Sequence, residues 1–412
     1  MFFLPLLCEG FRRLPSVLLA AIAVCVLTIP PLAVDPVSAQ SQPAVPARHS
    51  GLRRTLQLTK FYDTPDPLPA GKPGELIRSE PSDDYYLSVD FSAVRILYHS
   101  RSARGGEVAA SGVVLVPDGK PPAGGWPVIA WAHGFSGAAR QCAPSLSSNL
   151  YYGPLLSMYV NLGYAVVATD YTGLGTNFRS AVMDVPSNAT DVIYSIPAAH
   201  AAVPQLGPKW VAMGSSLGAN VAIAVAEMEA GTRDPNYLGS IAISGVADLK
   251  DVYEPLAKEQ SSRMLALLAY GIKTVYPDFE IRDMLTEKAI PAYHQVNDSC
   301  GSLSNSLEFP AIEMLKQNWK NNKFVEEFFG RNMHGQKPAY GPLLVISDDG
   351  DPAVLPSMTA QVVTHMCKQG DRIQFDKFAD PQPGLVIGDS VRDQMAWIEA
   401  RFTGRPASNN CP

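Results

Sequence analysis

Apolar positions along most of the chain fall in short runs separated by polar, Gly- and Pro-rich breaks. Residues 94–98 and 108–116 run or alternate apolar, as strands do. A turn-rich loop over 117–125 follows them. Residues 127–131 read as a buried strand that ends at His133-Gly134. Residues 150–162 read as a helix stopped by Gly163. Residues 164–168 read as a further buried strand, ending at Asp170. A helix over 189–203 accommodates Pro197. Then come a short buried strand at 209–213, a helix at 219–228 rich in Ala, Val and Ile, and a strand at 240–244. Continuous apolar strands alternating with helices predict an α/β fold: a mostly parallel sheet with helices on both faces.

The alternation stops over residues 249–338, which carry several helix-like stretches and no clear strand. It resumes with a strand at 342–346, a helix at 357–368, a strand at 372–378 and a helix at 390–402. The predicted organisation is therefore an α/β core over 91–248 and 339–412, interrupted by a mainly helical cap at 249–338. Residues 41–90 are Pro-rich and weakly periodic, an arm leading into the core. No internal repeat is evident. Residues 1–40 stand apart: Arg12 and Arg13 precede an apolar run over 17–34, followed by Val37-Ser-Ala39-Gln40. Charged start, apolar run and small-residue cleavage site are the parts of a secretory signal. An uncleaved anchor is the alternative, and Pro30-Pro31 near the end of the run favours cleavage.

Export changes the reading of the cysteines. Of six, Cys8 and Cys25 lie in the signal, and Cys142, Cys300, Cys367 and Cys411 remain. In an exported chain these predict two disulfides, with three pairings open. There is no C-x-x-C and no zinc spacing, so no metal and no other cofactor is called for. A formal net charge of −6 over 412 residues leaves no basic footprint for nucleic acid.

The chemistry centres on Gly214-Ser-Ser-Leu-Gly218, a G-x-S-x-G pattern between a predicted strand and a predicted helix. That context makes Ser216 a nucleophile on a sharp turn, with the helix N-terminus favouring developing negative charge. The Leu217 backbone N–H is the expected oxyanion donor. A second donor comes from one of two loops, His133-Gly134-Phe135 or Asp170-Tyr-Thr-Gly-Leu-Gly175. His133 itself reads as a loop-shaping residue. The acid that orients a base belongs after the strand at 342–346, where Asp348, Asp349 and Asp351 compete. Asp351, deepest in the turn before Pro352, is the choice. The base belongs after the strand at 372–378, and no histidine stands there. His365 precedes that strand. His49, His99 and His200 fall in the arm, a strand and a helix. His294 and His334 would have to reach in from the cap.

These residues identify a resemblance. The chain is similar to the secretory lipases of the Candida antarctica lipase A type, within the α/β-hydrolase superfamily. The marks are Phe61-Tyr-Asp-Thr-Pro-Asp-Pro-Leu-Pro-Ala70, Gly74-Glu-Leu-Ile-Arg78, Ala130-Trp-Ala-His-Gly134, Cys142-Ala-Pro-Ser145, Asp170-Tyr-Thr-Gly173, the G-x-S-x-G turn and Asp351-Pro352. The resemblance implies a secreted or periplasmic hydrolase of carboxylic esters under a helical cap. Its substrate would be an acyl ester or lipid, met in solution or at a lipid interface. It implies Ser216 as nucleophile, Asp351 as triad acid, and oxyanion donors on the backbones of Leu217 and Asp170. It also implies the pairings Cys142–Cys300 and Cys367–Cys411. The family's histidine follows, by five residues, an aromatic that closes the preceding strand. Counted from Phe378, that position is Pro383, and proline accepts no proton. The resemblance therefore predicts either a serine ester hydrolase or an impaired homologue that binds acyl ligands with little turnover.

Overall fold

The computed structural model describes residues 54–257, 263–298, 300, 311–351, 354–379 and 386–411. The signal, the first part of the arm, Pro352 and Pro383 lie outside the described residues. The strands are β1 (Leu76–Pro81), β2 (Phe91–Arg101), β3 (Glu107–Pro117), β4 (Trp126–Ala132), β5 (Ala165–Thr169), β6 (Leu206–Ser215), β7 (Tyr237–Ile243), β8 (Leu343–Asp348) and β9 (Ile373–Phe378). The helices are α1 (Gly153–Asn161), α2 (Val185–Ala202), α3 (Leu217–Thr232), α4 (Leu249–Leu256), α5 (Arg263–Val275), α6 (Ile290–His294), α7 (Lys323–Arg331), α8 (Pro356–Lys368), α9 (Val386–Asp389) and α10 (Val391–Phe402).

One nine-stranded sheet runs in the order β1-β2-β3-β5-β4-β6-β7-β8-β9. Strands β1, β2, β3 and β5 pair antiparallel. From β5 through β4, β6, β7 and β8 to β9 all pairs are parallel. Every residue of β5 and β8 is buried, which is why these strands read as unbroken apolar runs: both faces are covered. Helices α2, α3 and α8 pack on one face. Helices α1, α9 and α10 pack on the other.

The arm holds one strand that its composition hides. β1 is half-exposed and pairs antiparallel with β2. It lies at the sheet edge, where a short polar strand ending in proline is tolerated. β2 also extends beyond residues 94–98, because Arg95 is buried inside it. Its guanidinium pairs with Glu80 at 2.9 Å and Asp84 at 2.6 Å, a pairing that compensates burial.

Between β7 and β8 the described residues form α4 to α7 and a separate apolar cluster. Residues Leu265 to Ile272 of α5 are all buried. They form the centre of that cluster, so the all-apolar circumference of α5 is accounted for by packing. The end of α7 fastens this region to α2: Arg331 reaches Asp184 at 2.7 Å, and Asn332 accepts from the Val185 N–H at 2.8 Å. The cysteines pair Cys142–Cys300 and Cys367–Cys411. The first bond ties the loop after β4 to the segment between β7 and β8. The second ties α8 to the C-terminal tail.

Candidate active site

Ser216 sits between β6 and α3 with φ 57° and ψ −125°. A non-glycine residue held there stores about 1–3 kcal/mol of backbone strain. The flanking glycines make the turn possible. A Cβ on Gly214 would lie 2.1 Å from the Gly218 carbonyl oxygen, and one on Gly218 2.0 Å from the Ala132 carbonyl oxygen. A third glycine, not singled out in the sequence, completes the fit: a Cβ on Gly245 would lie 2.7 Å from Ser216 Cα. Ser216 is exposed at the sheet's C-terminal edge, and Leu217 begins α3. The first N–H groups of a helix have no partner within it.

Asp351 is brought to the same place through Ser244. The Ser216 N–H donates to the Ser244 carbonyl at 2.7 Å. The Ser244 hydroxyl donates to Asp351 Oδ2 at 3.1 Å, and Oδ1 accepts from the Val354 N–H at 3.0 Å. Ser244, with φ 48°, is a site residue that sequence reasoning missed; its signal was the Ser-Gly step directly after β7. The rival aspartates differ. Asp348 is the buried last residue of β8 and accepts from the Gly350 N–H, while Asp349 is exposed.

The loop at 133–137 lies against Ser216. A Cβ on Gly134 would be 3.3 Å from Ser216 Cβ. His133 shapes this loop. Its ring stacks on Tyr171 at 4.1 Å, and its nitrogens approach the carbonyls of Gly134 at 2.6 Å and Asp170 at 3.1 Å. Burial pushes its imidazole down to about 4, so at pH 7 it is neutral and donates to one of the two. The Tyr171 hydroxyl donates to the His133 carbonyl at 2.9 Å. Beyond it, Ser136 is buried and its hydroxyl has no partner among the described residues. It borders a small cavity that Leu217, Phe135 and Val182 also line.

Asp170, to which the resemblance assigns a backbone oxyanion donor, directly follows β5. Its N–H donates to the Ser111 carbonyl at 2.8 Å. Its buried carboxylate accepts from the Ser111 and Ser145 hydroxyls and from the Ser145 N–H. The residue anchors its loop from within.

No described histidine meets Ser216. His294 and His365 are exposed on α6 and α8. His99 is buried in β2, and His200 bonds the Gly207 carbonyl. His334 is buried, with Nε2 at 2.9 Å from the Asn220 side-chain oxygen. Asn220 lies one helical turn, about 6 Å, beyond Ser216. It also holds Ala247 and Gly245, so His334 belongs to a structural knot beneath the site. Burial lowers its imidazole to about 4.

Two buried carboxyls near these loops carry a pH consequence. Burial raises Asp191 and Asp170 to about 6 each. A carboxyl raised in the folded state holds its proton where the unfolded chain has lost it. Stability from Asp191 therefore falls as pH rises from about 4 to about 6. His133 and His334 act in the opposite sense over about 4 to 6.5. Asp191→Asn isolates one side of this balance. Between pH 4 and pH 7 the variant should gain about 2 kcal/mol relative to the parent, read by urea unfolding. An equal difference at both pH values would contradict it.

A model of the family described as secretory lipase matches residues 152–410. Lipase 6 of Candida albicans is 23% identical over 390 residues, covering 85% of this chain and 82% of its own. Among solved structures, Candida antarctica lipase A superposes with a TM-score of 0.68 at 18% identity, covering 86% of this chain and 87% of that one. The rice cell wall degrading esterase LipA from Xanthomonas oryzae gives 0.64 at 17% identity, covering 81% and 97%. The architecture is that of the α/β-hydrolases.

Proposed function

The chain belongs to the secretory lipase family, and from that premise we propose that it is an exported serine carboxylic-ester hydrolase, acting on lipid-like acyl esters through an acyl-enzyme on Ser216. One arrangement carries the reading. A strained, exposed serine stands at the start of α3 and is linked through Ser244 to the carboxylate of Asp351. Ser216 Oγ bonds to the acyl carbon, and the carbonyl oxygen takes the negative charge beside the Leu217 N–H. The second donor comes from the 133–137 loop, where Ser136, whose hydroxyl has no partner among the described residues, lines a cavity with Leu217. The alcohol then leaves, and water releases the acid.

Asp351 is the residue that would orient and charge-balance an imidazole. Pro383 stands at the position where the resemblance puts that imidazole, which favours a second reading. The site still forms an acyl-enzyme with activated esters, but proton removal from Ser216 and from water falls to solvent, and turnover is low. The test of the shared element is a fluorophosphonate probe. It should label one site per chain, and the label should disappear in Ser216→Ala. Labelling that persists in Ser216→Ala, or none in the parent, would contradict both readings.

A further inference from the structure

We infer that the hydroxyl of Tyr152 is a further oxyanion donor, supplied by a side chain from the start of α1. This inference rests on Ser216 being the nucleophile. The point that a Cβ on Gly134 would occupy lies 2.7 Å from the Tyr152 hydroxyl oxygen and 3.3 Å from Ser216 Cβ. The Tyr152 hydroxyl oxygen and Ser216 Cβ are therefore no more than 6 Å apart, both beside Gly134. That separation is within hydrogen-bond reach of a carbonyl oxygen attached to a carbon on Ser216 Oγ.

The phenol is oriented from two sides. Its ring packs edge-on against Trp131 at 4.9 Å. Its oxygen accepts the Gly134 N–H at 3.2 Å. Accepting that bond leaves the hydroxyl's own hydrogen to donate, and among the described residues no acceptor receives it. A phenol that accepts a backbone N–H is a better donor, since hydrogen bonds in a chain polarise one another. Burial raises the Tyr152 phenol above its ordinary range, so it keeps its proton throughout the pH range of the reaction.

The sheet order decides which reacting atom it faces. Gly134 follows β4, which adjoins β6 on one side. Asp351 and the chain after β9 follow strands on the other side. A base would approach Ser216 from the β8–β9 side. Tyr152 stands on the opposite side, with the loop that flanks Leu217, where the acyl oxygen turns. When Ser216 Oγ bonds to the acyl carbon, the carbonyl π electrons move to that oxygen. The Tyr152 O–H hydrogen-bonds to it and keeps its proton; no bond of Tyr152 is made or broken. The hydrogen bond strengthens as charge develops, so its contribution falls on the chemical step.

Tyr152→Phe removes the hydroxyl, both the donor and the acceptor of the Gly134 N–H, and leaves the ring against Trp131. The experiment follows release of nitrophenolate as a p-nitrophenyl alkylphosphonate reacts with the full mature chain, with peptide mapping to Ser216. The parent and Tyr152→Phe are compared over a range of phosphonate concentration. The limiting inactivation rate should fall roughly 10²-fold in Tyr152→Phe, with the half-saturating concentration unchanged within two-fold and thermal unfolding lowered by no more than the few degrees that one lost hydrogen bond costs. An unchanged limiting rate, or a loss confined to the half-saturating concentration, overturns the role of Tyr152 and leaves the nucleophile standing. A parent that takes up no phosphonate at Ser216 overturns the nucleophile itself, and the inference with it.

Discussion

Pro383→His is expected to raise kcat for ester hydrolysis by on the order of 10⁴. Removing one member of a serine triad typically costs about 10⁴–10⁶ in kcat, while binding and oxyanion donors retain roughly 10³–10⁴ over water. On the proposed reading the parent chain holds the other parts: Ser216 is presented on its strained turn, Asp351 accepts from Ser244, and the 133–137 loop lies against Ser216. A histidine five residues after Phe378 restores the group that accepts the Ser216 proton and returns it to the leaving alcohol. The gain should appear in kcat with KM little changed, because an imidazole stabilises the transition state and not the bound ester. It should titrate in with an apparent pKa near that of a histidine. Hydrolysis of short and long nitrophenyl esters from pH 5 to 9 measures both. No gain at any pH would show that the register at Pro383 is wrong.

Asp351→Asn should have very unequal consequences in two backgrounds. In Pro383→His it should lower kcat by about 10⁴, because an amide fixes the imidazole in the wrong tautomer and cannot balance its charge. In the parent it should change kcat less than ten-fold, since among the described residues no imidazole meets Ser216 to be oriented. The residual effect there is structural, through the Ser244 and Val354 hydrogen bonds. The four proteins form a double-mutant cycle, and the coupling should be of the same order as the single effect. Equal losses in both backgrounds would place Asp351 outside the triad and return the choice to Asp348 or Asp349.

The core of this account is legible in the sequence because its signals are local. Buried parallel strands are unbroken apolar runs, as in Ala165–Thr169. A strand, G-x-S-x-G and an Ala-rich helix within some twenty residues name Ser216 directly. The missed features depend on contacts between distant segments. β1 escapes because an edge strand needs only one apolar face, and Arg95 disguises β2 because its partners lie on β1 and in the segment after it. Tyr152 and Ser244 carry no motif. Each matters because of what the sheet order sets beside it. The setting of Asp170 was hidden for a related reason. Its sequence marks a loop at a strand's end, but the direction of its amide and carboxylate is fixed by Ser111 and Ser145.

The most direct test of the central claim, that Ser216 carries the acyl group, is the intact mass of the parent chain after mixing with a p-nitrophenyl ester. Nitrophenolate leaves readily, whereas the acyl-enzyme is an unactivated alkyl ester whose hydrolysis needs a base. The account predicts one equivalent of nitrophenolate in a burst, a mass increase of one acyl group mapped to the peptide containing Ser216, and slow turnover afterwards. Steady hydrolysis with no adduct, or an acyl group on any other residue, would contradict it.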